Sequence, residues 1–130
     1  VYVSMENKLL FGSGSWTVGA EGRKAVEEVA KVLADNPDIS VLIEGHTDNV
    51  PIKGGAIKDN WDLSVLRATS VVRIMEKNKG VAPVRLTPAG RGEFMPIDKA
   101  NSAEARKKNR RIEVILTPKL DELFQVLESN

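Results

Sequence analysis

Apolar residues recur along the chain at two spacings, one typical of helices and one typical of strands. The helical spacing of residues such as Val26 and Leu33 predicts a first long helix over residues 20–35. A second stretch with the same spacing predicts a helix over residues 60–79, which Gly80 closes. Both predicted helices are long enough to bury one face against a sheet.

Four segments have the apolar pattern of strands, namely residues 1–10, 39–44, 86–90 and 111–117. A polar, irregular stretch over residues 92–109 separates the last two, and a turn of helix is predicted within it at residues 102–107. Two strand-helix-strand units imply right-handed crossovers, which place both long helices on one face of the sheet. The pattern therefore predicts an α/β fold, a two-layer sandwich with a βαβαββ core and a small mixed four-stranded sheet.

The length of 130 residues fits a single domain over residues 1–130, with its core over about residues 8–117. After this core, an apolar stripe predicts a short C-terminal helix over about residues 118–128. The stripe consists of Leu120, Leu123, Phe124 and Leu127. Packing on the domain is the preferred interpretation of this stripe, and contact with a partner or a second copy remains open.

Composition and charge exclude several classes of function. The 19 basic and 18 acidic residues nearly cancel, so the chain lacks the positive charge with which proteins bind nucleic acid or anionic membranes. Cysteine is absent, which excludes disulfide scaffolds, thiolate metal sites and cysteine nucleophiles, and suits the periplasm. We interpret the chain, which starts at Val1, as a fragment or a mature form whose anchor or export signal lies upstream.

One face of the second predicted helix mixes polar and apolar side chains. Its members recur at helical spacing and are Asn60, Leu63, Arg67, Val71 and Ile74. An arginine in such a stripe either extends to solvent or is held by a carboxylate, and Asp48 is the nearest strong candidate. Asp48 follows a predicted strand, and ligands of open α/β sheets bind outside the carboxyl ends of strands. We therefore expect a carboxylate and a guanidinium to meet at this end of the sheet.

A site with one anion and one cation suits a zwitterion such as an amino acid headgroup. Asp48 could accept from the ammonium while the planar fork of Arg67 grips the carboxylate. Backbone amides at the helix start, near Leu63 and Ser64, could add donors. A structural salt bridge without any ligand is the alternative, and spacing alone slightly favours it.

The longest motifs of the chain surround these charged residues. They are Gly45-His46-Thr47-Asp48-Asn49-Val50-Pro51 and Asn60-Trp61-Asp62-Leu63-Ser64-Val65-Leu66-Arg67-Ala68. The chain is similar to the OmpA C-terminal domain family in these motifs, and this family includes Pal lipoproteins and the periplasmic part of MotB flagellar stators. The Val-Pro after the aspartate and the Asn-Trp-Asp-Leu-Ser run resemble its MotB-like, long-loop branch. Further matching segments bring the resemblance to about 110 residues: Leu10-Phe11-Gly12-Ser13-Gly14-Ser15, Arg85-Leu86, Gly90-Arg91-Gly92-Glu93, Pro96 and Asn109-Arg110-Arg111-Ile112-Glu113-Val114.

The resemblance implies non-covalent binding of bacterial peptidoglycan through the meso-diaminopimelate residue of its stem peptide. In the family's pattern, Asp48 and Arg67 hold that residue, Asn60 makes a secondary contact, and Arg110 lines the same region. The segment over residues 11–15 is expected to form a rim. The full set of expected ligand-binding residues is Phe11, Gly12, Thr47, Asp48, Asn60, Leu63, Arg67 and Arg110.

Catalytic and metal chemistry have weak support in the sequence. His46 is the only histidine, so a metal site with Asp48, Asp59 or Asp62 would lack a second nitrogen ligand. Asp59 and Asp62 are explained more simply as caps of a helix start than as a hydrolytic pair. Trp61 could stack on a sugar, although packing is the commoner role of a tryptophan at a helix start. We therefore predict no enzymatic activity, no metal and no cofactor.

The predicted function is the anchoring of an envelope protein to the cell wall. The expected location is the periplasm, with attachment to the outer membrane through an upstream region outside this chain. One alternative is the periplasmic domain of a MotB-like flagellar stator, and a weaker one is a wall-acting hydrolase. A homodimer remains open, and nucleic acid is not an expected partner.

Overall fold

The sheet in the computed structural model has four strands and is mixed. The structure describes the backbone of residues 2–4 and the whole of residues 11–117. The strands β1 (Tyr2–Ser4), β2 (Ser40–Gly45), β3 (Leu86–Gly90) and β4 (Ile112–Thr117) lie side by side in the order β1-β4-β2-β3. β2 is parallel to β3 and antiparallel to β4, and β1 is antiparallel to β4. The predicted mixed four-stranded sheet and its βαβαββ order are confirmed.

Three α-helices accompany the strands, and they are α1 (Ala20–Asp35), α2 (Asn60–Met75) and α3 (Ala103–Asn109). α1 has the predicted bounds, whereas α2 starts as predicted but ends before residue 79, because the chain then tightens into turns. A short 3-10 helix at Pro83–Arg85 has no counterpart among the predicted elements. Within the described part of the chain, no helix combines the length and the apolarity needed to cross a membrane. The predicted C-terminal helix over residues 118–128 lies outside the described residues.

Both long helices pack on the same face of the sheet, as the crossovers predicted. The core between the two layers is built mainly from aliphatic side chains of α1, α2, β2 and β4. It includes Val26, Leu33, Val41, Ile43, Val71, Met75, Ile112 and Val114. Because side chains alternate along a strand, the same strands turn Glu44 and Glu113 to the opposite face.

The start of α2 lies very close to the carboxyl ends of β2 and β3. A methyl group at Gly45 would overlap the backbone carbonyl of Ser64 in α2, and one at Gly90 would overlap the Ser64 side chain. The absence of a side chain at both positions is therefore what allows this approach. It places the predicted binding residues of α2 beside those that follow β2.

Replacing Gly45 with alanine should lower the free energy of unfolding by about 2 kcal/mol, because the added methyl forces α2 away from β2. Urea unfolding followed by circular dichroism would measure the change. Gly19→Ala is the matched control, since nothing lies within 4 Å of a Cβ at that position. Equal stability of the two variants would contradict the close approach of α2 to the strand ends.

Candidate functional site

The carboxylate of Asp48 lies just past the end of β2 and is held on both oxygens. Its Oδ1 accepts from the backbone amide of Val50 at 3.0 Å, and its Oδ2 accepts from Nη1 of Arg110 at 2.9 Å. Nε of Arg110 in turn donates to the carbonyl of Phe11 at 2.8 Å. A carboxylate and a guanidinium thus meet at the expected end of the sheet. The partner differs from the expectation, because it is Arg110 that contacts Asp48 rather than Arg67.

Arg67 is fully buried and donates to three backbone carbonyls. Its Nε donates to Ser15 at 2.7 Å, its Nη1 to His46 at 2.9 Å, and its Nη2 to Gly12 at 3.1 Å. The guanidinium carbon also lies 4.9 Å from the ring centroid of Phe11. Burial lowers the pKa of Arg67 to about 10, an effect that the charge of Asp48 opposes and that of Arg110 reinforces. The side chain therefore remains a cation at neutral pH.

These hydrogen bonds explain why Arg67 does not pair with Asp48. Its donors are directed at the carbonyls of the segment over residues 12–15 and of His46, which join the segment to the end of β2. A ligand carboxylate would reach this fork only by replacing the carbonyls of Gly12 and Ser15. Sequence reasoning missed these acceptors because a backbone carbonyl has no signature in the amino-acid sequence.

Asn60 connects three segments of the site through its amide nitrogen. Nδ2 donates to the carbonyls of Asp48 at 3.3 Å and Val50 at 3.1 Å, and to Oε1 of Glu93 at 3.4 Å. All three partners are acceptors, which fixes the orientation of the amide group. Its Oδ1 is buried and has no hydrogen-bond partner among the described residues. An unpaired buried acceptor costs free energy, so a donor that reached this oxygen would stabilise the site.

The remaining predicted binding residues divide into a buried and an exposed group. Phe11, Thr47 and Leu63 are buried, and the Thr47 hydroxyl donates to the carbonyl of Asp48 at 2.8 Å. Gly12 is exposed and can line a rim as expected. The structure therefore places all eight predicted residues at one end of the molecule, some at its surface and some in the core just below. They do not form one accessible surface.

The acidic residues at the start of α2 cap the helix. Oδ1 of Asp59 accepts from the amide of Asp62 at 3.2 Å, and Oδ2 of Asp62 accepts from the amide of Lys58 at 2.8 Å. Asp59 is therefore the N-cap of α2, and Asp62 accepts from the residue before the cap, one position short of a capping box. The capping explanation for Asp59 and Asp62 is confirmed.

A second polar cluster, which the sequence did not reveal, lies on the face of the sheet opposite the long helices. Nε2 of His46 lies 3.5 Å from Oε1 of Glu44 and 3.5 Å from Oε2 of Glu113. Nε of Arg91 contacts Glu44 at 3.1 Å, and Nε of Arg111 contacts Glu113 at 2.9 Å. The neighbours considered for His46 from the sequence were aspartates, whereas the structure places two glutamates beside it. Only the cross-strand pairing of residues 44 and 113 could have indicated this cluster, and that pairing cannot be predicted without the register of the sheet.

This cluster has the ligand types for a metal ion, but its charges are already balanced. Potential ligand atoms of Glu44, His46 and Glu113 all lie within 4.8 Å of one another. Each carboxylate also contacts a guanidinium, so a divalent cation here would be placed beside two positive charges. The arrangement is better suited to a charge-neutral network that fixes the ends of β2 and β4.

The stability of the domain should fall as the pH drops below about 6.5, because His46 is buried as the neutral form. Burial, followed by the charge of Arg111, lowers the pKa of His46 from its ordinary 6.5, against the opposing effect of Glu113 and Glu44. Below pH 6.5 the unfolded chain therefore binds a proton that the folded chain does not. Urea unfolding between pH 7.5 and 5.5 should show a weaker pH dependence in His46→Gln than in the parent. Equal slopes would contradict the assignment.

Sequence comparisons identify relatives over most of this chain. Residues 10–110 match the OmpA family. Motility protein B of Bacillus subtilis (strain 168) is 34% identical over 117 residues, which are 90% of this chain and 45% of that protein. The probable lipoprotein YiaD of Escherichia coli (strain K12) is 33% identical over 118 residues, covering 91% of this chain and 52% of that protein. The chain thus spans about half the length of these curated relatives.

Solved structures share the fold described above. The cell wall anchor of the T6SS from Pseudomonas aeruginosa has a TM-score of 0.73 and 32% identity, covering 91% of this chain and 79% of that chain. A putative MotB-like protein from Desulfovibrio vulgaris has a TM-score of 0.77 and 28% identity, covering 91% of this chain and 73% of that chain. The two-layer α/β fold is therefore common to this chain and to proteins of several bacteria.

Proposed function

The chain belongs to the OmpA family, and from this premise we propose that it binds peptidoglycan through the diaminopimelate residue of the stem peptide. OmpA-like domains bind peptidoglycan, and domains of this family are structural binding domains rather than enzymes. The finer statement, that diaminopimelate is the recognised residue, is the proposal. It would tether the protein that carries this domain to the cell wall.

The observation that carries the proposal is the group of polar atoms at the carboxyl end of β2. Asp48 presents a carboxylate held by Arg110, and the buried Oδ1 of Asn60 lacks a partner among the described residues. A ligand ammonium could donate to the carboxylate of Asp48, and to Oδ1 of Asn60 once the groups that cover this oxygen move aside. Their position outside the strand end is the usual ligand position in open α/β sheets.

The two arginines of the site, Arg110 and Arg67, would attract the carboxylate of the ligand. Arg110 is partly exposed, and in the described part of the chain its Nη2 makes no hydrogen bond. It is therefore suited to meet a ligand carboxylate directly. Arg67 is buried beneath Arg110, and its positive charge favours an anion bound above it. A ligand carboxylate that replaced the carbonyls of Gly12 and Ser15 could accept directly from its guanidinium. A residue with an ammonium and a carboxylate on one carbon satisfies both halves of the site.

A competition experiment with two matched amino acids tests the proposal. Free meso-diaminopimelate should displace the domain from purified peptidoglycan at micromolar to millimolar concentration, on the order expected for two charge-assisted contacts. Nα-acetyllysine, whose free ammonium and carboxylate lie on different carbons, should compete much more weakly. Equal competition by both compounds, or none by either at high millimolar concentration, would refute recognition of this headgroup.

We propose that the domain acts in the periplasm and that a membrane tether outside this chain holds it near the wall. Relatives in the family are periplasmic domains tethered to membranes. Attachment to the outer membrane is the preferred form, and avidity from many wall sites would offset a modest affinity of each. The similarity to motility protein B keeps a stator parent as the second candidate. An upstream transmembrane helix with an intramembrane acid would favour the stator.

A further inference from the structure

Two exposed aromatic rings lie in contact beside the proposed peptide site. Trp61 in the first turn of α2 is 50% exposed, and Phe94 in the loop after β3 is 60% exposed. Their ring centroids are 5.0 Å apart and their planes are tilted by 34°. Both rings approach Gly92, which has a φ of +60° and no side chain to keep them apart. We call Trp61 and Phe94 the aromatic platform.

The backbone beneath the platform is fixed on several sides. The amide of Gly92 donates to Oγ of Ser64 at 2.9 Å, and its carbonyl accepts from the amide of Thr47 at 2.9 Å. Beyond Phe94, the carbonyl of Met95 accepts from Nη2 of Arg111 at 2.9 Å. The loop that carries Phe94 is thus joined to α2, to the segment after β2 and to the residue before β4. Because the loop is already anchored, little conformational entropy is lost when a ligand binds to the rings.

The platform is continuous with the proposed peptide site through Asn60. This residue precedes Trp61 in the chain, and its Nδ2 lies 3.4 Å from Oε1 of Glu93, which precedes Phe94. The same Nδ2 donates to the carbonyls of Asp48 and Val50. A ligand bound at Asp48 could therefore extend over the Asn60–Glu93 contact directly onto the rings.

The chemistry of the platform suits the apolar face of a sugar ring. Exposed aromatic carbon gains by covering C–H groups, while the hydroxyls of a sugar can remain hydrated at its edge. A stem peptide is attached to an amino sugar, and the residue in third place lies about 10 Å along an extended chain from that attachment. One ligand can therefore contact the carboxylate of Asp48 with its peptide and the neighbouring rings with its sugar.

We propose that Trp61 and Phe94 form a glycan subsite that takes the apolar face of an amino sugar of the wall polymer. The inference rests on the proposed function, since it joins the sugar to the peptide bound at Asp48. In this inference the domain recognises the junction between sugar and peptide, whereas the proposed function requires recognition of the peptide alone. The exposed position of both rings leaves the core unchanged when either is replaced.

Two soluble ligands separate the subsite from the peptide site. One is a tripeptide with diaminopimelate in third place, and the other is the same tripeptide attached to its disaccharide. By calorimetry the parent should bind the disaccharide form about fivefold more tightly. Trp61→Ala should abolish this difference and leave the tripeptide affinity unchanged, and Phe94→Ala should reduce the difference. Trp16→Ala is the matched control, because Trp16 is 41% exposed in the loop before α1 and should retain the full difference.

Each outcome bears on one proposal. If the parent binds the tripeptide but gains nothing from the disaccharide, the glycan subsite is wrong and the peptide site stands. If the parent binds neither ligand, the proposed function fails and the subsite with it. A Trp61→Ala variant that weakens both ligands equally would make Trp61 part of the peptide site and overturn the subsite. Self-association that Trp61→Ala abolishes, with the sugar difference intact, would assign the rings to a second copy and likewise overturn it.

Discussion

Replacing Arg67 with lysine should lower the free energy of unfolding by about 4 kcal/mol. The guanidinium donates to the carbonyls of Gly12, Ser15 and His46 from a fully buried position. An ammonium on a shorter, non-planar head cannot satisfy all three in the same geometry, and the carbonyls left without donors would be buried. Urea unfolding without ligand, followed by circular dichroism, would measure the loss.

Arg73→Lys is the matched control for this experiment, because Arg73 lies exposed in the last turn of the same helix. Its effect should stay within about 0.5 kcal/mol. An interpretation in which Arg67 serves only to grip a ligand predicts unchanged stability for Arg67→Lys. A loss below about 1 kcal/mol would therefore support that interpretation and contradict the role derived from the three carbonyls.

Replacing Asp48 with asparagine should weaken binding to purified peptidoglycan by a hundredfold or more, about 2.8 kcal/mol. The change removes the negative charge that a ligand ammonium would meet. It retains an oxygen that can accept from the amide of Val50, so the turn after β2 should persist. Pull-down with purified sacculi and calorimetry with a diaminopimelate-containing peptide would measure the loss.

Two further measurements make the Asp48 result decisive. Circular dichroism must show that Asp48→Asn is folded, since the carboxylate also contacts Arg110. Asp38→Asn provides the matched control, because Asp38 is exposed in the turn between α1 and β2, at the other end of the sheet. Undiminished binding by a folded Asp48→Asn would exclude Asp48 from the site.

The order of elements and the position of the site could be predicted from the sequence. Alternating and helical spacings of apolar residues predicted α1, the start of α2 and the mixed sheet, since burial of one face imposes these periods. The placement of Asp48 after a buried strand predicted where polar groups would collect. The capping roles of Asp59 and Asp62 also followed from local sequence, because a cap acts within one turn of helix.

The partners of the charged residues were decided by the tertiary structure. Asp48 contacts Arg110, which lies 62 positions away in the chain, and Arg67 donates to carbonyls of segments 21 to 55 positions away. Such pairings depend on strand register and on loops that cross the sheet end, and a guanidinium can pair with any carboxylate or carbonyl within its reach. The cluster of Glu44, His46 and Glu113 likewise exists only because the register of β2 and β4 places the two glutamates opposite each other. Local spacing determined the elements of this protein, whereas long-range packing determined which charges meet.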